Sequence, residues 1–351
     1  MAKSFTDFPR VAFPPTTRPR RITKLGVVGM GECVRKKIWP IVQSEAFPLD
    51  DLVVCSMEPR SCLDGFPHRY YQLQPDGFLP LDELHEQGFL STDTLWLICP
   101  PSEYHVHYAV QLAGLCRVAV EKPLADTSHR ARLSLPFTDG FDVHPMSHKV
   151  FNASVLAFID ACRQDPCILQ RVCHIEGVFY ETAGLSHGRQ LEDCIADVQW
   201  HLFTAGLIAP FKATATYFEV VVDKVWVATH EPDPQERYAQ PTVWTASRVQ
   251  GRLLGDWQEV TYDFRQAKGA PTSMKGVRLF DGAGNLLHEI DLNESGCHAH
   301  ARMLLALMRP VVDMRLTLAD AIAVMEWIDI SRGLACEEPA YAFGTLPGFL
   351  A

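Results

Sequence analysis

Four short apolar runs, Leu25 to Val28, Leu52 to Cys55, Leu95 to Cys99 and Val118 to Val120, recur through the first third of the 351-residue chain, and the stretches between them are long enough for helices. A weaker run near Phe141 to Val143 extends the series. Strands alternating with helix-length segments imply right-handed crossovers and therefore a parallel sheet with helices on both faces. Ligands of such sheets gather at the carboxyl ends of the strands. Four of those ends carry unusual chemistry: Gly29-Met30-Gly31, Ser56-Met57-Glu58-Pro59-Arg60, Pro100-Pro101-Ser102-Glu103-Tyr104-His105 and Glu121-Lys122-Pro123.

The texture changes after residue 146. A helix is predicted from Phe151 to Cys162, followed by β-prone runs at Arg171 to Tyr180, Thr216 to Val222, Val243 to Val249, Val277 to Phe280 and Leu286 to Ile290. Alternation in ATYFEVVVD and the turn residues of FDGAGN favour an antiparallel sheet. A helical finish covers His300 to Met308 and Leu316 to Ile330, and the terminal PAYAFGTLPGFL matches no element. The predicted organisation is an N-terminal tail over residues 1–21, a first domain over 22–146 and a second over 147–351.

Composition narrows the function. A hydrophobic content of 47% with 21% charged residues describes a globular chain with a sizeable core. The net charge of −10 argues against a nucleic-acid partner, whose proteins concentrate positive charge on one face. The basic group Arg18-Pro19-Arg20-Arg21 ends a proline-rich segment and reads as a solvated tail or strap. Eleven cysteines occur singly, without a C-x-x-C pair, which points away from zinc and disulfides and toward a reducing cytoplasm. No secretory pattern opens the chain, and no apolar run reaches the ~20 residues that span a bilayer. The pairs His105/His107 and His298/His300 lack further ligands at suitable spacing, so no metal is expected.

At the first strand end, GVVGMGECV supplies Gly29 and Gly31 of a G-x-G-x-x-G fingerprint, with Val34 in the third glycine's place. Such glycines let the backbone approach a pyrophosphate at a helix N-terminus, here with Glu32 and Cys33 beside it. At the second strand end, Ser56 and Arg60 favour the phosphate of NADP, whereas Glu58 favours the ribose hydroxyls of NAD; Met57 lies between them. The balance tips toward NADP. Further on, CIADVQWHLF holds Asp197 and His201 four residues apart, on one face of a helix if the segment is helical. That spacing fits a solvated ion pair and equally an oriented acid/base.

In their order and spacing, GVVGMG, WLICPPSEYH, VAVEKPLA and CIADVQWHLF resemble the Gfo/Idh/MocA oxidoreductases, over roughly residues 22 to 330. The resemblance implies an N-terminal Rossmann domain, a doubly wound parallel sheet. It also implies a C-terminal α+β domain whose open, mainly antiparallel sheet makes a homodimer or homotetramer. The implied activity is NAD(P)-linked oxidation or reduction of a secondary alcohol or ketone on a sugar, cyclitol or related polyol.

Carried onto this chain, the family's catalytic residues match Lys122, Asp197 and His201. In this reading His201 carries the proton, Asp197 holds its tautomer and Lys122 polarises the reacting oxygen, with Lys122 as proton carrier the close alternative. Cys99, Pro100, Pro101, His105 and Glu121 complete the cofactor lining, together with Lys122. Lys149, in HKVF, stands where the family commonly has an arginine, and Tyr180, His187 and Arg189 join it as candidate substrate contacts. The run RQLEDCIAD replaces the glycine-rich stretch that usually precedes the aspartate, so the substrate is left open. Rival readings are redox-assisted elimination or glycoside cleavage, imine or double-bond reduction, and a nucleotide-binding sensor without turnover.

Overall fold

The computed structural model describes residues 21–44, 47–59, 69–74, 77–125, 141–182, 199–212, 215, 217–230, 244–256, 258–268, 273–294, 297–312 and 316–337. Two sheets organise them. The first contains β1 (Lys24–Val28), β2 (Asp51–Ser56), β3 (Arg69–Gln72), β4 (Thr94–Ile98), β5 (Arg117–Val120) and β6 (Val143–Pro145), in the order β3-β2-β1-β4-β5-β6. Every pairing in it is parallel. Its central strands are buried almost throughout, as crossover segments on both faces require. Gly26 lies under the Trp96 ring, where a Cβ would fall 2.3 Å from the indole, so glycine on β1 makes room for the largest side chain of β4. The strand β3 was not legible as an apolar run, because RYYQ is a half-exposed edge.

The second sheet contains β7 (His174–Glu181), β8 (Phe218–His230), β9 (Trp244–Gly255), β10 (Val260–Lys268), β11 (Met274–Phe280), β12 (Leu286–Asp291) and β13 (Ala335–Glu337). Its order is β12-β11-β7-β10-β9-β8-β13, antiparallel except where β7 meets β10 and β8 meets β13. Two successive reversals turn β10 back into the direction of β8, and it then lies alongside β7 in parallel. The expected strands omit β10, although VTYDFRQAK alternates: Val260, Tyr262 and Phe264 are buried toward the core while Asp263 and Arg265 occupy the opposite face. The turn FDGAGN forms as expected, with the Asp281 carboxylate accepting from Ala283 and Asn285 N–H and Gly284 at φ 82°.

Helices Ala153–Gln164, His298–Leu307 and Leu318–Leu334 lie close to the expected positions. Thr317 and Asp320 form a capping box at the start of the last. The buried Arg117 on β5 ties the first sheet to the chain following helix His298–Leu307. Its guanidinium donates to Asp142 at 2.8 Å and to the carbonyls of Leu307 at 2.8 Å and Arg309 at 2.6 Å.

Candidate active site

Gly29 leaves β1 at φ 86°, and a Cβ there would lie 2.7 Å from the Pro100 backbone nitrogen; only glycine permits this contact between the ends of β1 and β4. Gly31 is different. A Cβ on it would meet only the Cys99 carbonyl, at 3.9 Å, so its outward side is open, as a backbone that receives a ligand's phosphates must be. These residues fit a dinucleotide pyrophosphate. Val34, in the third glycine's place, is buried.

From Val34 to Ile38 the chain winds as a π-helix, with the Trp39 N–H reaching the Val34 carbonyl, before the turn Trp39–Val42. Pro40 follows immediately. Proline has no N–H to give and crowds the carbonyl four residues earlier, and one wider turn relieves the conflict. The same device recurs at Leu202–Ile208, just before Pro210. Both wide turns adjoin the site, where such bulges concentrate.

At the end of β2, Ser56 is buried and its hydroxyl accepts the Glu58 N–H at 3.3 Å. The Glu58 carboxylate is engaged by Arg35, which the sequence reading overlooked, and Met57 is exposed. Glu32 pairs with Lys36 one turn along. Arg60 lies outside the described residues, as do His187, Arg189 and Asp197.

At the end of β4, burial pushes the Cys99 thiol well up, with Cys33 and Glu121 adding to the effect. Pro101 leads into the short turn Ser102–Tyr104. His105 is buried, with its Nδ1 and Nε2 each 2.8 Å from a carbonyl oxygen, of Pro123 and Pro100 respectively. The ring therefore staples the loop after β5 to the loop after β4. Glu121 continues the backbone pairing, its N–H donating to Ile98 at 2.9 Å, and the Lys122–Pro123 peptide is cis.

His201 is set by its neighbours on the next helix. Trp200 Nε1 donates to Ser147 Oγ at 3.3 Å, Ser147 Oγ donates to Thr204 Oγ1 at 3.2 Å, and Thr204 Oγ1 donates back to the Trp200 carbonyl at 2.7 Å. This buried chain fixes residues 200–204 against the HKVF segment. Glycine 177 on β7 lets the helix approach, since a Cβ there would lie 2.6 Å from Phe264 and 3.0 Å from Leu202. Two residues along the same face, Phe179 stacks on the His201 ring at 5.0 Å.

Three imidazoles then meet. His148 contacts His201 edge to face at 5.0 Å and stacks on His300 at 3.9 Å. Burial holds His148 and His201 well below the ordinary imidazole value. For His201 the cation of Lys122 is the next largest cause, followed by His148, Lys149 and Lys275. His300 is pushed down to about 4 by burial, then by Lys37, Lys149 and Lys122. Lys122, just after β5 of the first sheet, thus acts electrostatically on all three of these imidazoles. The imidazoles stack rather than converge, and no group of three or more ligating side chains among the described residues could hold a metal.

Lys149 is buried and donates to the Leu292 carbonyl at 2.7 Å. Lys275 lies 4.6 Å from the Phe179 ring centre and pairs with Glu181 at 2.7 Å. Alternate residues of a strand face opposite ways, so Phe179 and Glu181 share the His201 face of β7, whereas Tyr180, a candidate substrate contact, lies on the other face with Arg265, Asp263 and Arg248.

No protein-family model and no curated protein matches the chain. Solved structures do. KijD10, a 3-ketoreductase from Actinomadura kijaniata seen with NADP and TDP-benzene, aligns over 91% of this chain and 99% of its own, at 13% identity and TM-score 0.60. A myo-inositol 2-dehydrogenase from Lactobacillus plantarum aligns over 89% and 97%, at 11% identity and TM-score 0.62. GenD2 from gentamicin A biosynthesis, seen with NAD, aligns over 92% and 97%, at 15% identity and TM-score 0.61. The chain shares the fold of these structures, the arrangement that the resemblance to the Gfo/Idh/MocA oxidoreductases implied. The parallel sheet is the Rossmann sheet, and the helix that follows His201 packs on interior strands β7, β10 and β11 of the mixed, mainly antiparallel sheet.

Proposed function

We propose that the protein is an NAD(P)-dependent oxidoreductase acting on a secondary alcohol or ketone of a sugar, cyclitol or related polyol. One observation carries this reading: Lys122 follows β5 at a carboxyl end of the parallel sheet, one strand removed from β1 and its Gly29 turn, and after burial its charge is the largest cause that holds His201, beside the second sheet, neutral. The solved structures of similar fold support it, being by name a 3-ketoreductase and a myo-inositol 2-dehydrogenase.

The coenzyme supplies the hydride acceptor or donor. Around the reacting carbon, the protein must hold and move a proton at the carbinol oxygen. His201, kept neutral by burial and nearby cations, is suited to accept a hydrogen bond from that hydroxyl or to take its proton during oxidation. An imidazolium there would be disfavoured by the same lysines, which supports Lys122 as the stabiliser of an oxyanion; the group that takes the proton in oxidation returns it in reduction. Asp197, four residues before His201, is proposed to hold the ring.

Arg35, fixed by Glu58 at the end of β2, and the buried Ser56 support NADP over NAD, because a guanidinium offers a forked donor to a phosphate. We take residues 22–146 and 147–351 as separate domains, and the second sheet as the surface of a homodimer or homotetramer. Nine described cysteines are free thiols, which supports a cytoplasmic setting. No described helix is long and apolar enough to cross a membrane.

The test is titration with NADPH and NADH by nucleotide fluorescence, followed by hydride transfer across a panel of polyols and ketosugars. Lys122→Ala and His201→Ala should each lower turnover by ~10²- to 10⁴-fold with nucleotide affinity nearly intact. No saturable binding of either nucleotide refutes the proposal.

A further inference from the structure

Two lysines reach the same aromatic ring that carries His201. Lys275 Nζ stands 4.6 Å and Lys149 Nζ 5.9 Å from the centre of Phe179, whose ring stacks on the His201 imidazole at 5.0 Å. Lys149 comes from the short turn His148–Phe151 and Lys275 from β11, so two separate elements direct ammonium groups to one spot. Both lie outside the parallel sheet, whose first strand leads into the glycine turn that would take the coenzyme's phosphates.

Buried ammonium groups are unfavourable unless offset. Glu181 offsets part of this charge through its pair with Lys275, and Glu294, which also faces Lys149, is engaged by Arg302. Lys149 is only 8% exposed, and among the described residues it spends one of its three N–H donors on the Leu292 carbonyl. Among the described residues, Lys122, Lys149 and Lys275 are the charged groups that act on His148 and His201 beyond the imidazoles themselves, with Asp197 outside that set. In a chain of net charge −10, the described side chains therefore gather cations around this spot, where Glu181 pairs with Lys275. The oxidised nicotinamide is itself a cation and does not offset them.

We infer that the substrate carries an anionic group, a carboxylate or a phosphate, received by Lys149 and Lys275 beside His201. This rests on the hydride-transfer reading for the word substrate, but the anion site itself does not need turnover to be detected. Both ammonium groups would donate charge-assisted hydrogen bonds to the anion, and the Phe179 ring would form the wall between it and the imidazole.

Two measurements on the full chain saturated with NADPH test this. Calorimetric titration with inorganic phosphate and, separately, acetate should show saturable binding of at least one, weakened roughly 10- to 100-fold by Lys275→Gln and by Lys149→Met and largely retained in Lys149→Arg. Which probe binds assigns phosphate or carboxylate. Hydride transfer is then compared for hexoses, the matching uronates and the matching hexose phosphates; the charged members should have the higher kcat/KM, by a ratio that Lys275→Gln reduces. Binding of neither anion, binding unchanged in both lysine variants, or a preference for the neutral sugars overturns the inference. Anion binding without any hydride transfer would instead leave the anion site standing and count against the oxidoreductase reading. Circular dichroism of each variant confirms that loss of binding is not loss of folding.

Discussion

The imidazole of His148 lies flat on that of His300, ring centres 3.9 Å apart and planes within 15°, and meets His201 nearly edge to face. Burial is the main reason that this stack disfavours charge, and the ammonium groups of Lys149 and Lys122 add to it. Three histidines are thereby held neutral in the folded protein, while the unfolded chain protonates them around the ordinary value of 6.5.

Acid stability follows from that difference. A histidine whose folded pKa is depressed contributes its full stability above the unfolded value, and this is lost as pH falls from 6.5 toward the folded value, about 4 for His300. Each such group contributes a slope of about 1.4 kcal/mol per pH unit within its window. Urea unfolding at a series of pH values should show a steep loss of stability below 6.5, and His148→Phe, which keeps the flat ring, should flatten it by about one proton. An unchanged slope in that variant would refute the coupling.

The two glycines of the first turn separate folding from cofactor binding. Gly29→Ala places a methyl 2.7 Å from the Pro100 nitrogen and forces φ 86° on an L-residue, so it should cost stability as well as nucleotide affinity. Gly31→Ala meets nothing of the protein nearer than 3.9 Å. It should fold with an unchanged melting temperature and yet bind NADPH and NADH at least tenfold more weakly, since the methyl would occupy the side from which the phosphates approach. Equal nucleotide affinity in the Gly31 variant would move the pyrophosphate elsewhere.

The parallel sheet was legible because its central strands are buried on both faces and so read as unbroken apolar runs, as Leu95 to Ile98 does. The edge strand RYYQ lacks that signal, and β10 hides its alternation behind the polar face of Asp263 and Arg265. Lys122 and His201 could be named from motif spacing, since each sits at a strand or helix position with a recurring local pattern. Lys275, Phe179 and His300 could not. Lys275 and Glu181 are 94 residues apart in sequence and meet only because β11 pairs with β7, and His300 was visible as half of an H-x-H pair without its partner in the stack. Alternation alone does not say which face of β7, that of Phe179 or that of Tyr180, meets the helix bearing His201. The glycine at 177, which admits the helix, is the mark that does.

That glycine is itself testable. In Gly177→Ala the added methyl lies 2.6 Å from the Phe264 ring and 3.0 Å from Leu202, both fully buried, so the helix bearing His201 must shift. Overpacking of this kind costs about 1–3 kcal/mol. The melting temperature should fall, and kcat should fall further than nucleotide affinity, because the displacement reaches the Phe179–His201 stack but not the Gly29 turn. A stable variant with normal turnover would show that the helix position is not what sets the imidazole.

Lys149 gives a pH dependence at the other end of the scale. Burial pushes its ammonium down to about 8, Lys275 and Lys37 add to the shift, and Glu181 and Glu294 oppose it. Two consequences have opposite signs. In the folded state the charged form is disfavoured, so its cost is fully present below about 8 and is relieved as pH rises toward the ordinary 10.5, which adds stability in that interval. Binding of an anion needs the charged form, so phosphate or acetate affinity should decline above about 8, approaching tenfold per pH unit if one proton is involved. Calorimetry and urea unfolding across this range should therefore move in opposite directions, which general alkaline denaturation cannot produce. Lys149→Arg, whose guanidinium stays charged throughout, should abolish the decline in affinity. If the arginine variant declines in parallel with the wild type, the titrating group is not Lys149.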